Sequence, residues 1–124
     1  MKRLPDTELE VMKALWGAGN DTPRAALEES LAPFGWAANT INTYLKRLEQ
    51  KGFVSVAHDR KGNRYTPTVS WQDYQAFDSK TVLDQLYGTP CNFLAALARG
   101  GLKKQELAQL RTLLDELEQE KTNE

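Results

Sequence analysis

The chain has 124 residues, 40% of them hydrophobic and 27% charged, with a formal net charge of −1. That is enough for one ordinary domain, or a small domain with an extension, of soluble globular composition. No apolar run approaches the roughly 18 residues needed to span a bilayer, no apolar leader opens the chain, and one cysteine (Cys91) with one histidine (His58) excludes an internal disulfide and argues against a metal centre; the expectation is a cytoplasmic protein with no metal, no cofactor and no membrane partner.

A first helix is predicted from about Pro5 to Trp16, started by Asp6 or Thr7 and followed by Gly17. Leu9, Met12 and Trp16 share one face, and Glu8, Glu10 and Lys13 are expected in solvent. A loop over 17–21 leads to Thr22-Pro23, which reads as an N-cap with proline at the first helical position. The short helix it opens is lined by Ala25, Ala26, Leu27 and Leu31 and ends at Pro33-Phe34-Gly35.

The third helix follows Trp36 and Ala37 and ends at Lys51-Gly52, where glycine suits a left-handed C-cap. Ile41, Tyr44, Leu45 and Leu48 form its apolar stripe, and Asn39, Asn42, Thr43, Lys46 and Gln50 its free face. Amides, hydroxyls and cations are the groups that read base edges and phosphates in a major groove. A strand over Phe53–Ala57 and a partner over Arg64–Pro67 are predicted, with turn residues Lys61-Gly62-Asn63 between them. Tyr65 and Val69 are expected to close the core beneath this hairpin, whose tip is basic. The pattern is a winged helix-turn-helix. Charge distribution agrees: residues 36–66 carry net +4, whereas 1–35, 67–100 and 101–124 carry −2, −1 and −2.

From Ser70 the pattern is helical. Ser70 reads as the N-cap of a helix to Tyr87, broken by Gly88-Thr89-Pro90. A short helix over Cys91–Ala98 follows, and a last one from near Lys103. Leu107, Leu110, Leu114 and Leu117 have the 3-4-3 spacing of a helix–helix seam. Some 50 residues in three helices enclose little core alone. The apolar residues of all three helices are therefore expected at a dimer interface: Phe77, Leu83 and Leu86, then Phe93, Leu94 and Leu97, then the four seam leucines. The fold class is mainly α with a small β-hairpin: a winged helix over 1–69 and a three-helix dimerisation domain over 70–124. Cys91 reads as a small core residue, and Trp36 and Trp71 as packing residues, with Trp71 pinning the linker.

The order of elements resembles the penicillinase and methicillin-resistance repressor family of bacterial transcription regulators. The resemblance runs from Leu4-Pro5-Asp6-Thr7-Glu8-Leu9-Glu10-Val11-Met12, with Leu15-Trp16, through Ala38–Leu48 and Lys51-Gly52-Phe53, to Leu107–Leu114. It implies a homodimeric repressor that binds a palindromic double-stranded DNA operator. Matched to that family, Asn39, Thr40, Asn42 and Thr43 are the base-reading positions. Lys46, Arg47, Lys51, Arg60, Lys61 and Arg64 are the phosphate-facing ones. The family usually has a basic residue or two where this chain has Asn39 and Asn42, which implies an operator of different sequence, richer in A·T contacts. A regulatory protease is a candidate partner, since antibiotic-responsive members are cut beside an Asn-Phe pair. Here Asn92-Phe93 lies a few residues before the matching position, near Leu97-Ala98, and is read as N-cap and core. The paired cysteines of copper-responsive members are missing from 119–124.

The near-neutral charge keeps a second reading in play, a winged-helix docking module without DNA binding. No enzyme is expected: Asp6, Glu8 and Glu10 read as a solvated helix turn, and His58 has no nucleophile or ligand partner at a recognisable spacing.

Overall fold

The structure is a computed structural model describing residues 1–123. The chain forms two compact units, Met1–Thr81 and the segment from Val82 onward.

In the first unit, α1 (Asp6–Ala18), β1 (Thr22–Pro23), α2 (Arg24–Leu31) and α3 (Ala38–Gln50) are followed by β2 (Val54–Asp59), β3 (Gly62–Pro67) and α4 (Trp71–Val82). The three strands make one antiparallel sheet in the order β1-β3-β2. This is the winged-helix fold expected from the sequence, with one strand added. Thr22-Pro23 is not a helix cap but β1, pairing Thr22 with Tyr65 and Pro23 with Arg64. The Thr22 hydroxyl donates back to the Gly19 carbonyl and the residue is buried. Helix α1 also runs through Gly17 to Ala18, because glycine inside a helix costs only about 1 kcal/mol and the packing of Leu15 and Trp16 holds the last turn.

The core is one cluster drawn from α1, α2, α3, the sheet and α4: Val11, Met12, Leu15, Leu27, Leu31, Ile41, Leu45, Leu48, Phe53, Val54, Tyr65 and Tyr74, with Leu4 beside them. Each fully buried aliphatic side chain contributes about 1.5–3 kcal/mol of hydrophobic stabilisation. Tyr74 brings the start of α4 into this cluster, and its hydroxyl accepts from the Leu4 amide at 2.8 Å. Trp16 donates through its indole nitrogen to the Val69 carbonyl at 2.8 Å and lies 4.9 Å from the Trp71 ring, so Trp71 does tie the linker to α1. Phe77, expected at a dimer interface, packs against this core and lies 6.3 Å from Tyr74.

The second unit begins with a π turn over Leu83–Tyr87, then α5 (Pro90–Arg99) and α6 (Lys104–Thr122). The N-cap of α5 is Thr89, whose hydroxyl accepts from the Asn92 amide at 3.1 Å. Asn92 is thus not the cap; its side chain donates to the Tyr87 carbonyl. Phe93 is not core in the single chain: it sits edge-on to Tyr87 and stays exposed. The Glu106 carboxylate accepts from the Lys103 amide at the start of α6. Among the described residues of this unit no hydrophobic one is buried, and Leu86, Phe93, Leu97, Leu107, Leu114 and Leu117 are all exposed. Cys91 is exposed as well, on an apolar groove of about 750 Å³ between α5 and α6. No helix of the described residues is long and apolar enough to cross a membrane.

Candidate nucleic-acid interface

Helix α3 is seated by Ile41, Leu45 and Leu48, which are at most 5% exposed. Its C-terminus is fixed by a Schellman motif. The Phe53 amide donates to the Leu48 carbonyl at 2.9 Å and the Gly52 amide to Glu49 at 3.0 Å. Gly52 has φ +82°, a left-handed conformation that glycine adopts without a Cβ penalty. At the other end Trp36 stacks on Phe34 (4.6 Å) and meets Tyr44 edge-on (5.2 Å). With three sides committed, the remaining side carries Asn39, Asn42, Thr43, Lys46 and Arg47, all exposed, with Thr40 half-buried. The Thr43 hydroxyl donates to the Asn39 carbonyl at 3.0 Å, which leaves the oxygen free to accept.

The hairpin is tighter and longer than the sequence suggests. Strand pairing continues to Asp59 and Gly62, so the turn residues are Arg60 and Lys61 alone. Gly62 and Asn63 belong to β3, and Asn63 faces His58 across the strands, with Nδ1 and Oδ1 2.8 Å apart. Arg60 and Lys61 project from the tip, and among the described residues neither pairs with a carboxylate.

Two cations expected to face phosphate are committed elsewhere. Lys51 lies 2.6 Å from the Glu8 carboxylate, whose side chain is only 2% exposed. Glu8 is therefore not a solvated first-turn residue. A buried carboxylate must be paired, and the lysine just past α3 supplies the charge, tying α1 to the end of α3. Arg64 is half-buried on β3; it donates to the Asp21 carbonyl at 3.2 Å and lies near the carboxylates of Asp21 (3.6 Å) and Asp59 (3.8 Å). It anchors the hairpin to the turn before β1. Asp21 itself has φ +55° and donates its amide to the Thr66 hydroxyl.

One residue of this surface escaped the sequence reading. Arg24, at the start of α2, reaches across to α3. Its Nε donates to Glu28 at 3.0 Å, Nη1 to Asn42 Oδ1 at 2.5 Å and Nη2 to the Ala38 carbonyl at 3.3 Å. The i,i+4 spacing to Glu28 was visible in the sequence; the reach to α3, 18 positions on, was not.

Lys46 and Arg47 on the helix and Arg60 and Lys61 on the hairpin thus flank a row of amides and a hydroxyl. Cations that neutralise phosphates beside neutral donors and acceptors that meet base edges are the division of labour of a DNA-binding surface. Among the described residues no three potential metal ligands are gathered.

The family model and the sequence relatives point the same way. A family model described as penicillinase repressor matches residues 4–116. The chain is 31% identical over 123 residues to the penicillinase repressor of Bacillus licheniformis, covering 94% of both chains. It is 27% identical over 114 residues to the methicillin resistance regulatory protein MecI of Staphylococcus aureus, covering 90% of this chain and 93% of that one. A solved structure of BpsR from Bordetella bronchiseptica, described in terms of regulation of its DNA binding, aligns with TM-score 0.47 at 22% identity. That alignment covers 92% of this chain and 75% of the other.

Proposed function

The chain belongs to the penicillinase repressor family of transcriptional regulators, and on that premise we propose that it is a homodimeric repressor that binds a palindromic operator and blocks transcription by occupying it. The observation that carries this reading is the free face of α3, held outward by a buried stripe and flanked by the basic hairpin tip. Residues 1–69 bind DNA, α4 packs onto them through Tyr74 and Phe77, and the segment from Val82 onward dimerises. Asn39, Thr40, Asn42 and Thr43 meet base edges. Lys46, Arg47, Arg60 and Lys61 meet phosphates, while Lys51 and Arg64 hold the frame that presents them.

The homodimer is supported by the second unit. Its leucine seam on α6 and the groove between α5 and α6 are apolar and uncovered in the single chain. A second copy covers them with an identical surface, and a two-fold protein matches a two-fold site. A regulatory protease acting near Leu97-Ala98 would meet residues inside α5, so the helix must unwind before it can be cut.

Two measurements test the reading. Sedimentation equilibrium should give a dimer. Binding of duplex DNA from the promoter region of the chain's own operon should be specific and weaken steeply with salt. No binding at low salt would instead favour the docking-module reading, and a monomer would remove the two-fold operator.

A further inference from the structure

We propose that Arg24 sets the base preference of the α3 face by fixing which edge of the Asn42 carboxamide points outward. The inference rests on Asn42 being a base-reading residue, as proposed above. A guanidinium only donates hydrogen bonds. Its Nη1 contact to Asn42 at 2.5 Å therefore requires the amide oxygen, and the O/N assignment follows from chemistry. Arg24 is held for this task at two further points, by Glu28 within α2 and by the Ala38 carbonyl in the first turn of α3. Its side chain is 22% exposed, so it is packed between the two helices and not free to swing.

The consequence is chemical. A free asparagine reads adenine through both edges of its amide, the oxygen accepting from N6 and the NH2 donating to N7. Here the oxygen faces α2 and a positive charge, and the NH2 is the edge left for DNA. A donor-only group matches guanine best, because N7 and O6 are adjacent acceptors for one NH2, whereas adenine sets an unpartnered N6 amino group beside N7 and thymine sets a methyl beside O4. Asn42 therefore selects guanine, and the A·T-rich operator that its residue type implies does not extend to this position. Arg24 is a positioning residue: it acts through Asn42.

The test is selection of binding sites from random duplex DNA by the full-length dimer, for the wild type, Arg24→Ala, Asn42→Ala and the double variant. Asn42→Ala identifies the base pair that Asn42 reads, as the one position per half-site whose preference flattens. The wild type should show guanine there. Arg24→Ala should move that position towards adenine by about tenfold, with the other positions unchanged. In the Asn42→Ala background, removing Arg24 should move nothing. A merely structural role would lower affinity at all positions without changing which base is preferred at one. Any base other than guanine at the Asn42-dependent position of the wild type overturns the proposal. So does an unchanged preference in a folded Arg24→Ala protein. If circular dichroism shows Arg24→Ala to be unfolded, the wild type and Asn42→Ala still decide between guanine and adenine. A wild type that selects no consensus refutes the operator-binding function itself, and this inference with it.

Discussion

At the scale of single residues, a cation's neighbours decide its role. Among the described residues Lys61 at the hairpin tip has no carboxylate partner, and Lys51 is paired with Glu8. Lys61→Ala should weaken binding to every DNA sequence and lower the slope of log K against log salt by about one. Asn42→Ala should weaken binding mainly to the cognate site, by about 1–3 kcal/mol; equal losses on specific and random DNA would deny it a reading role. Lys51→Ala should act on the fold instead, since it leaves a buried carboxylate unpaired, at a cost of about 1–3 kcal/mol. Because Lys51 is partly exposed, the lower half of that range is expected, read as a lowered urea midpoint. Glu8→Gln should recover part of the loss in the Lys51→Ala background by removing the orphaned charge.

At the scale of elements, the legible parts are those whose signals are local. The α3 stripe at helical spacing, Gly52 after its last turn and Ser70 before α4, where the hydroxyl accepts from the Asp73 amide, can all be read without knowing the rest of the chain. Thr22-Pro23 carries an equally good local signal and became a strand, because β3 offers two backbone partners that lie more than 40 positions away. The Schellman turn gives a direct check. Nothing lies within 4 Å of a Cβ built on Gly52, so Gly52→Ala meets only the backbone penalty of a positive φ, about 1–2 kcal/mol. Thermal unfolding should show that loss, and DNA affinity below the transition should be retained.

At the scale of the whole molecule, the two units differ in what each completes alone. The first encloses a core in which Val11, Met12, Leu15 and Leu48 are fully buried. The second, among the described residues, buries no hydrophobic side chain, and leaves Leu107, Leu114 and Leu117 about half exposed. Such a surface is stable in water when another apolar surface covers it. Leu107→Glu with Leu114→Glu should convert the proposed dimer to a monomer by sedimentation equilibrium. The first unit should stay folded, and affinity for the full palindrome should fall far more than affinity for a half-site.

Taken by itself, the sequence determined the order of the helices and the hairpin, the face that α3 presents, the hairpin's basic tip and the leucine seam, because periodicity, caps and charge segregation are written within a few residues of one another. Only the tertiary structure decided which cations remain free, that Glu8 is buried, that Phe77 serves the first unit's core and that Arg24 holds Asn42. Each of these depends on groups separated along the chain and brought together only by packing, where burial forces a charge to find a partner and the partner's position then fixes what each side chain can still do.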